Sequence, residues 1–175
     1  MTSSAAGAGP LSALPPELYA LLDGPCVMYI ATRNAALEPL SVLAFGLQSA
    51  GDDREVTVFV PAPLSQLILA NLRDNGQMAV TLVRPSDHRS LQIKGVWLGE
   101  RRATDADRAF LNRYKDAMLQ EMGQVGVPRS IWNRIAWWPS VALRMDVREA
   151  FVQTPGPSAG RRLERAGSSA GPTPS

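Results

Sequence analysis

The sequence contains few of the residues that form disulfides or bind metals: one cysteine and one histidine among 175 residues. With Cys26 alone, no internal disulfide can form, which is typical of a reducing compartment, so we expect a cytoplasmic protein. Cys26 lies in an apolar run, which favours a buried core residue over a catalytic thiol. Because His88 is the only histidine and no cluster of ligand residues is visible, we expect no structural metal site.

Long hydrophobic runs and an excess of one charge are also missing. No run approaches the roughly 20 residues that span a bilayer, and residues 1–10 lack the basic and apolar regions of a secretory signal. The net charge of +2 comes from the last residues, where Arg161, Arg162 and Arg165 outnumber Glu164, so the remaining chain is neutral. A neutral body argues against a nucleic-acid surface, and we expect neither a nucleic-acid nor a membrane partner.

Common catalytic motifs are absent as well. There is no Gly-x-Ser-x-Gly elbow, no evident pair of catalytic carboxylates, and no glycine-rich loop between a strand and a helix. The sequence therefore does not indicate a hydrolase or a nucleotide-binding P-loop.

One domain, 11–154, accounts for most of the chain. Residues 1–10 are rich in Ala, Gly and Ser, and residues 155–175 are rich in Gly, Pro, Ser and Arg. Neither end has enough large apolar groups to offset the entropy of ordering, so we expect both to be disordered.

Within this domain, strand-like alternation gives way three times to helical spacing. The predicted strands are Cys26–Thr32, Leu40–Leu47, Glu55–Val60, Met78–Val83, His88–Leu98 and Val141–Val152, with a turn at 51–53. The predicted helices include one from Pro63 to Asp74, one capped by Thr104 and running to about Met122, and a short one at Ser130–Ile135. Six mostly sequential strands predict a mainly β (α+β) fold built on an antiparallel barrel, since closure removes exposed edges.

The fifth predicted strand carries the clearest candidate binding surface. Alternation places His88, Ser90, Gln92 and Lys94 on one face. Such a row of hydrogen-bonding groups with a cation is suited to a phosphate or to the edge of a heterocycle, and a solvated outer face of the barrel is the alternative. His88 is in addition the candidate proton donor or haem ligand.

Three tryptophans, Trp132, Trp137 and Trp138, precede the last predicted strand. Indole rings stack on flat cofactors and anchor subunit interfaces. Ordinary core packing is the competing interpretation.

Two stretches carry a resemblance to a known family. Residues 70–76, Ala-Asn-Leu-Arg-Asp-Asn-Gly, lead into a strand at 77–83, and residues 89–95, Arg-Ser-Leu-Gln-Ile-Lys-Gly, form a strand that runs from a polar start to a glycine. Together they resemble the pyridoxamine 5′-phosphate oxidase-like FMN-binding split-barrel family, over roughly Leu14 to Gln153.

The resemblance implies a homodimeric split barrel with FMN in two grooves at the dimer interface and a small-molecule substrate. It implies cofactor contacts from Ser65 and Gln66 at the start of the first long helix, from Ser90 and Gln92, and from Trp138 over the ring. Ile68 stands where the family has a phosphate-binding Lys. Compensating cations are then expected among Arg84, His88, Arg89 and Lys94.

Three functions follow as hypotheses from this resemblance. The first is a flavin-dependent oxidoreductase that uses FMN, with a deazaflavin as an alternative cofactor. The second is a haem-binding or haem-degrading protein with His88 as ligand. The third is a dimeric binding module without cofactor, which the loss of the Lys at position 68 motivates.

Overall fold

The structure, a computed structural model, describes residues 10–50 and 54–163. The turn predicted at 51–53 and most of both predicted disordered ends lie outside these ranges. The strands are β1 (Val27–Arg33), β2 (Pro39–Ala44), β3 (Leu47–Ser49), β4 (Glu55–Pro61), β5 (Gln77–Val83), β6 (Ser90–Arg102) and β7 (Ser140–Val152). The helices are α1 (Pro16–Tyr19), α2 (Ala62–Asn75), α3 (Asp105–Gln124) and α4 (Arg129–Trp132), after a 3₁₀ turn at Pro10–Ala13.

All seven strands form one antiparallel sheet in the order β2-β1-β5-β6-β7-β4-β3. Its two edge strands, β2 and β3, are separated in the chain only by Phe45 and Gly46. Phe45 N–H donates to the Phe59 carbonyl (2.8 Å), and Phe59 N–H donates to the Gly46 carbonyl (3.1 Å). The junction after β2 is thus hydrogen-bonded to β4, and the sheet curls into a split barrel-like form, which confirms the expected mainly β antiparallel fold. The predicted second strand is two strands, so the sheet has seven rather than six.

Glycine is required where β2 gives way to β3. Gly46 has a φ of +86°, and a Cβ atom there would lie 2.9 Å from Cε1 of Phe110 and 3.1 Å from Cδ2 of Leu111. Only glycine adopts this backbone without strain while α3 packs so closely against it.

Inward-facing apolar residues of the strands fill the barrel. Ile30, Val80 and Ile93, on neighbouring strands, are fully buried, and α2 adds Ile68 and Leu72 to the same core. The helix ends at Gly76 (φ +67°), whose N–H donates to the Leu72 carbonyl (2.9 Å). A left-handed C-terminal glycine is a common helix stop.

Both ends of α3 are attached to the sheet. At its start, Thr104 caps the helix as predicted, in a capping box with Asp107. Arg101 donates two hydrogen bonds to the same carboxylate (2.5 and 3.0 Å). Near its end, the buried Glu121 accepts a hydrogen bond from Ser86 N–H (2.9 Å) in the β5–β6 turn.

The chain beyond β7 turns back and pairs with that strand. Gly160 N–H donates to the Val152 carbonyl (2.7 Å), Val152 N–H to the Arg161 carbonyl (2.9 Å), and Leu163 N–H to the Ala150 carbonyl (2.8 Å). Leu163 is buried against the core. Residues 155–163, expected from composition to belong to a disordered tail, are thus held by backbone hydrogen bonds, and the folded part extends past residue 154.

Candidate functional site

A groove of about 720 Å³ runs along one face of α2, from Ala62 to Arg73. Its other walls are the end of β6, at Arg102 and Ala103, and the start of β7, at Ser140 and Val141. This volume lies within the range of small-molecule sites. We call it the α2 groove.

Helical spacing selects the residues that α2 gives to the groove. Ser65, Leu69 and Arg73 recur every four residues and share one face of the helix, whereas Ile68 and Leu72 point into the core. Backbone hydrogen bonds hold the walls together, from Ala62 N–H to the Pro139 carbonyl (2.9 Å) and from Ala103 N–H to the Ser140 carbonyl (3.0 Å). The groove is therefore a fixed feature of the fold.

Hydroxyl groups and one amide supply the neutral polar groups of the groove. Ser65 Oγ donates to the Ala62 carbonyl (2.9 Å), and Ser140 Oγ donates to the Trp137 carbonyl. Both oxygens keep their acceptor capacity, and the exposed Gln66 amide offers a donor and an acceptor. These groups can orient a polar ligand.

Two arginines supply the positive charge. Arg73 is paired with Glu100 (2.7 Å), so much of its charge is compensated. Arg102 forms no ion pair with any residue in the described ranges. Because a guanidinium presents several donors in one plane, Arg102 is the natural partner for an oxyanion here.

The predicted cover from Trp138 is not found over this groove. Trp138 immediately precedes the lining residue Pro139, but its ring packs with the Phe59–Leu111 cluster and under the Arg108 guanidinium at 5.1 Å. In the groove the apolar surface comes from Leu69, Pro139 and Val141 instead. Within one chain, Trp138 is thus a packing residue beside the site.

Three of the predicted site residues lie together in the β5–β6 turn instead of in the groove. Arg84 donates two hydrogen bonds to Asp87 (3.0 and 2.6 Å), and Arg89 approaches the same carboxylate at 3.5 Å. The Arg84 hydrogen bonds are the main reason that the pKa of Asp87 falls to about 2. His88 is exposed in this turn with a φ of +57°. The prediction that His88 belongs to the strand face is wrong, because β6 begins only at Ser90.

Ser90 is buried and committed to the chain itself. Its hydroxyl donates to the His88 carbonyl (2.8 Å), and its N–H donates to Thr154 Oγ1 (3.0 Å). Ser90 and Arg102 are the two ends of β6, a strand of 13 residues, which corresponds to roughly 40 Å of extended chain. In one chain, the turn and the α2 groove are therefore far apart.

Gln92 and Lys94 point outward from the sheet, as the alternation predicted. Gln92 Nε2 donates to Thr81 Oγ1 (3.1 Å), and the Lys94 ammonium lies 4.8 Å from the centre of the Phe151 ring. Of the nine predicted site residues, only Ser65 and Gln66 line the α2 groove.

The groove also contains residues that the sequence reasoning missed. Arg73 was detectable, because it follows Ser65 at a spacing of eight, two helical repeats of four. Arg102 was not, because the predicted strand ended at Leu98. Ile68 is fully buried, so the position at which the resemblance expects a Lys faces the core, and any charge in the groove comes from Arg73 and Arg102.

Other classes of site find no support in the described ranges. No group of three or more His, Cys, Asp or Glu residues there is arranged to hold a metal ion. No helix there is both long and apolar enough to cross a membrane. Burial raises the pKa of Cys26 to about 12, so its thiol is neutral at physiological pH and a poor nucleophile.

Comparison with family models and with curated proteins finds no match to this sequence. Solved structures do match. HupZ of Group A Streptococcus is 16% identical with a TM-score of 0.50, over 84% of this chain and 99% of that one. An F420 reductase is 15% identical with a TM-score of 0.50, over 78% of this chain and 98% of that one.

An FMN-binding protein from Syntrophomonas wolfei is 10% identical with a TM-score of 0.46, over 81% of this chain and 84% of that one. At such identities the likeness is one of fold. The chain shares the fold of HupZ and of the F420 reductase, in line with the split barrel that the resemblance implied.

Proposed function

We propose that this chain binds a flavin-type cofactor in the α2 groove, FMN in the first place and deazaflavin F420 as the alternative, and acts as an oxidoreductase on a small molecule. The observation that carries the proposal is the composition of the groove. An arginine without an ion pair, two hydroxyls and an amide lie beside an apolar wall. An F420 reductase of the same fold supports the choice of a flavin-type group.

The residues of the groove fit the two ends of such a cofactor. Arg102, aided by Arg73 and Ser65, would hold the phosphate through charge-assisted hydrogen bonds. Leu69, Pro139 and Val141 would lie against the ring and exclude water from it. When bound, the group supplies the capacity to accept and donate electrons, and the protein supplies binding, orientation and electrostatics.

A homodimer is part of this proposal. The predicted cofactor residues Arg84 and Arg89 lie in the β5–β6 turn, at the opposite end of β6 from the groove of their own chain. A second copy placed with its β5–β6 turn at the mouth of the groove would bring these residues to the cofactor. The cytoplasmic location expected from the single cysteine also stays a proposal.

The haem hypothesis has less support from the geometry. His88 is the only histidine of the chain, and it lies exposed in the β5–β6 turn instead of lining the α2 groove. Within one chain, the groove therefore has no imidazole to coordinate an iron, and the haem ligand would have to be His88 of the second copy in the proposed homodimer. The third hypothesis, a binding module without cofactor, is separated from flavin and haem binding by the next experiment.

The test is the visible spectrum of the gently purified protein, followed by mass identification of any released chromophore and titration of the apoprotein with FMN and F420. We expect a flavin-type spectrum or saturable binding of one of the two. A Soret band would replace the proposal with haem binding. A colourless protein that binds neither added cofactor would contradict it in favour of a module without cofactor.

Arg102→Gln extends the same titration to the residue level. Losing a charge-assisted contact to phosphate should weaken cofactor binding by about tenfold or more. Arg113→Gln is the matched control, because Arg113 is an exposed arginine on α3 that does not line the groove. Equal affinities for the two variants would show that Arg102 does not hold the phosphate.

A further inference from the structure

The outer face of the sheet has a depression of about 350 Å³ that is separate from the α2 groove. The paired residues Ala31 and Ala79 form its floor, with Gly95 beside them. The neighbouring row of the sheet contains larger side chains: Tyr29 is paired with Thr81, Thr81 with Gln92, and Gln92 with Phe151. Small residues beside a row of large ones leave the hollow, which we call the sheet depression.

The small residues of this floor do not serve the core of the barrel. Ala31 follows the buried Ile30 in β1, and Ala79 precedes the buried Val80 in β5. Because neighbouring residues of a strand face opposite sides, both alanines point outward. Alanine and glycine are poor strand formers, and a larger outward residue would suit the pleat better. Local stability therefore does not explain the hollow.

A β-bulge shapes one end of the depression. The pairing of β6 with β7 shifts by one residue between Lys94 and Gly95. Lys94 pairs with Glu149 and Gly95 pairs with Val147, so Arg148 is the additional residue of the bulge. A Cβ atom on Gly95 would lie 2.0 Å from the Asp146 carbonyl oxygen. The bulge brings Arg148 and Glu149 to the rim together. Bulges commonly redirect side chains next to binding sites.

Positive charge is in excess around the depression. Asp146 lies between Arg148 (2.6 Å) and Arg54 (3.5 Å), and Glu149 is paired with Arg162 (3.2 Å). Two further cations, Arg33 and Lys94, line the depression and form no ion pair within the described ranges. Because the folded chain is otherwise close to neutral, this local excess is a feature of the site.

From this shape and this charge we propose that the sheet depression binds a small molecule through a phosphate group, with Lys94 and Arg33 as the main ligands and Arg148 at the rim. A phosphate monoester carries between one and two negative charges at neutral pH and accepts several hydrogen bonds. This matches two cations without an ion pair in the described ranges, above a floor that leaves room for the ligand. The site is independent of the cofactor proposed for the α2 groove.

The experiment is a titration of the ¹⁵N-labelled full chain with inorganic phosphate at constant ionic strength, followed by amide chemical shifts. The α2 groove is first saturated with its cofactor, or inactivated by Arg102→Gln if no cofactor binds. We expect saturable shifts at the amides of Ala79 and Gly95. Shifts that appear only along α2, or no saturable shift, would overturn the proposal without bearing on the proposed cofactor.

Two variants and one control locate the binding. Lys94→Gln should weaken phosphate binding about tenfold or more, and Ala79→Leu should abolish it by filling the hollow without changing charge. Arg144→Gln is the control, because Arg144 is an exposed β7 cation that is paired with Glu55 outside the depression. The affinity of the Arg144→Gln variant for phosphate should stay within twofold of that of the unmodified chain.

Two further outcomes would refute the assignment. Equal or tighter binding of acetate than of phosphate would show that the site does not select phosphate. If a second copy of the chain fills the hollow instead, Ala79→Leu would change the sedimentation coefficient, and phosphate would produce no shift in the unmodified protein.

Discussion

Asp107 shows how one side chain can attach a long helix to a barrel. Its carboxylate accepts hydrogen bonds from the Thr104 N–H (2.7 Å), the Thr104 hydroxyl (2.8 Å) and the Arg101 guanidinium. The Arg101 hydrogen bonds are the largest reason that the pKa of Asp107 falls from 3.8 to about 2. The ionised carboxylate is therefore strongly preferred in the folded protein.

This preference predicts a pH dependence of stability. Because the pKa is lower in the folded than in the unfolded chain, the contribution of Asp107 is complete above about pH 4 and is lost as pH falls towards 2. We expect Asp107→Asn to lower the free energy of unfolding by roughly 2 kcal/mol at pH 7 and by much less near pH 2. Chemical denaturation at several pH values measures both.

Asp105→Asn is the matched control, because Asp105 lies exposed in the same first helical turn. It should lose only the smaller interaction of a carboxylate with the helix dipole. A similar loss in both variants would contradict the assigned role of the Arg101–Asp107 pair.

What the sequence could predict at this scale depends on how local the signal is. The Thr104 cap follows from a pattern within a few positions, whereas Ser65 and Gln66 were implied by the family resemblance. His88 was misplaced because nothing in the sequence marks its left-handed backbone, which ends the turn two residues later than expected. Arg102 was missed because its place depends on the length of a strand that continues past Gly99.

The break between β2 and β3 is the most demanding junction among the elements. Residues before this junction, in β2, pair with β1, whereas residues after it, in β3, pair with β4. The positive φ of Gly46 allows the chain to change partners. Any other residue at this position would have a strained backbone and would clash with α3.

We predict that Gly46→Ala lowers the free energy of unfolding by about 3 kcal/mol, from strain and overpacking together. Gly126→Ala should cost only about 1 kcal/mol, because Gly126 also has a positive φ (+80°) but has nothing within 4 Å of the added carbon. The difference between the two midpoints in urea measures the clash with Phe110 and Leu111. An equal loss of unfolding free energy in the two variants would mean that α3 shifts to accommodate the added carbon at no cost.

Strand positions were predictable because alternating apolar residues and turn residues lie in the sequence itself. The division of Leu40–Leu47 was not, because both halves are apolar and only the change of partner separates them. Likewise the bulge at Gly95 depends on the close approach of the Asp146 carbonyl, which no local pattern reveals.

For the whole molecule, the segment after β7 is part of the barrel wall. Leu163 is buried, although composition alone assigns its surroundings to a disordered tail. A segment of low apolar content can become ordered when its backbone hydrogen-bonds to a strand and one apolar side chain reaches the core. The amino-acid composition of the segment reveals neither of these interactions.

We predict that Leu163→Ala lowers the free energy of unfolding by about 2 kcal/mol through lost burial. Arg161→Ala, two residues earlier and exposed, should change it by less than about 0.5 kcal/mol. Urea denaturation compares the two. An unchanged midpoint for Leu163→Ala would show that the segment does not contribute to the stability of the barrel in solution.

The order of the strands in the sheet also governs how the protein must assemble during synthesis. β7 lies between β6 and β4 and is the last of the seven described strands to leave the ribosome. Until it emerges, the nascent chain consists of two incomplete sheets, β2-β1-β5-β6 and β4-β3, each with an unpaired edge. Such edges recruit other strands, so the interval between the synthesis of β6 and that of β7 is when a chaperone would matter most.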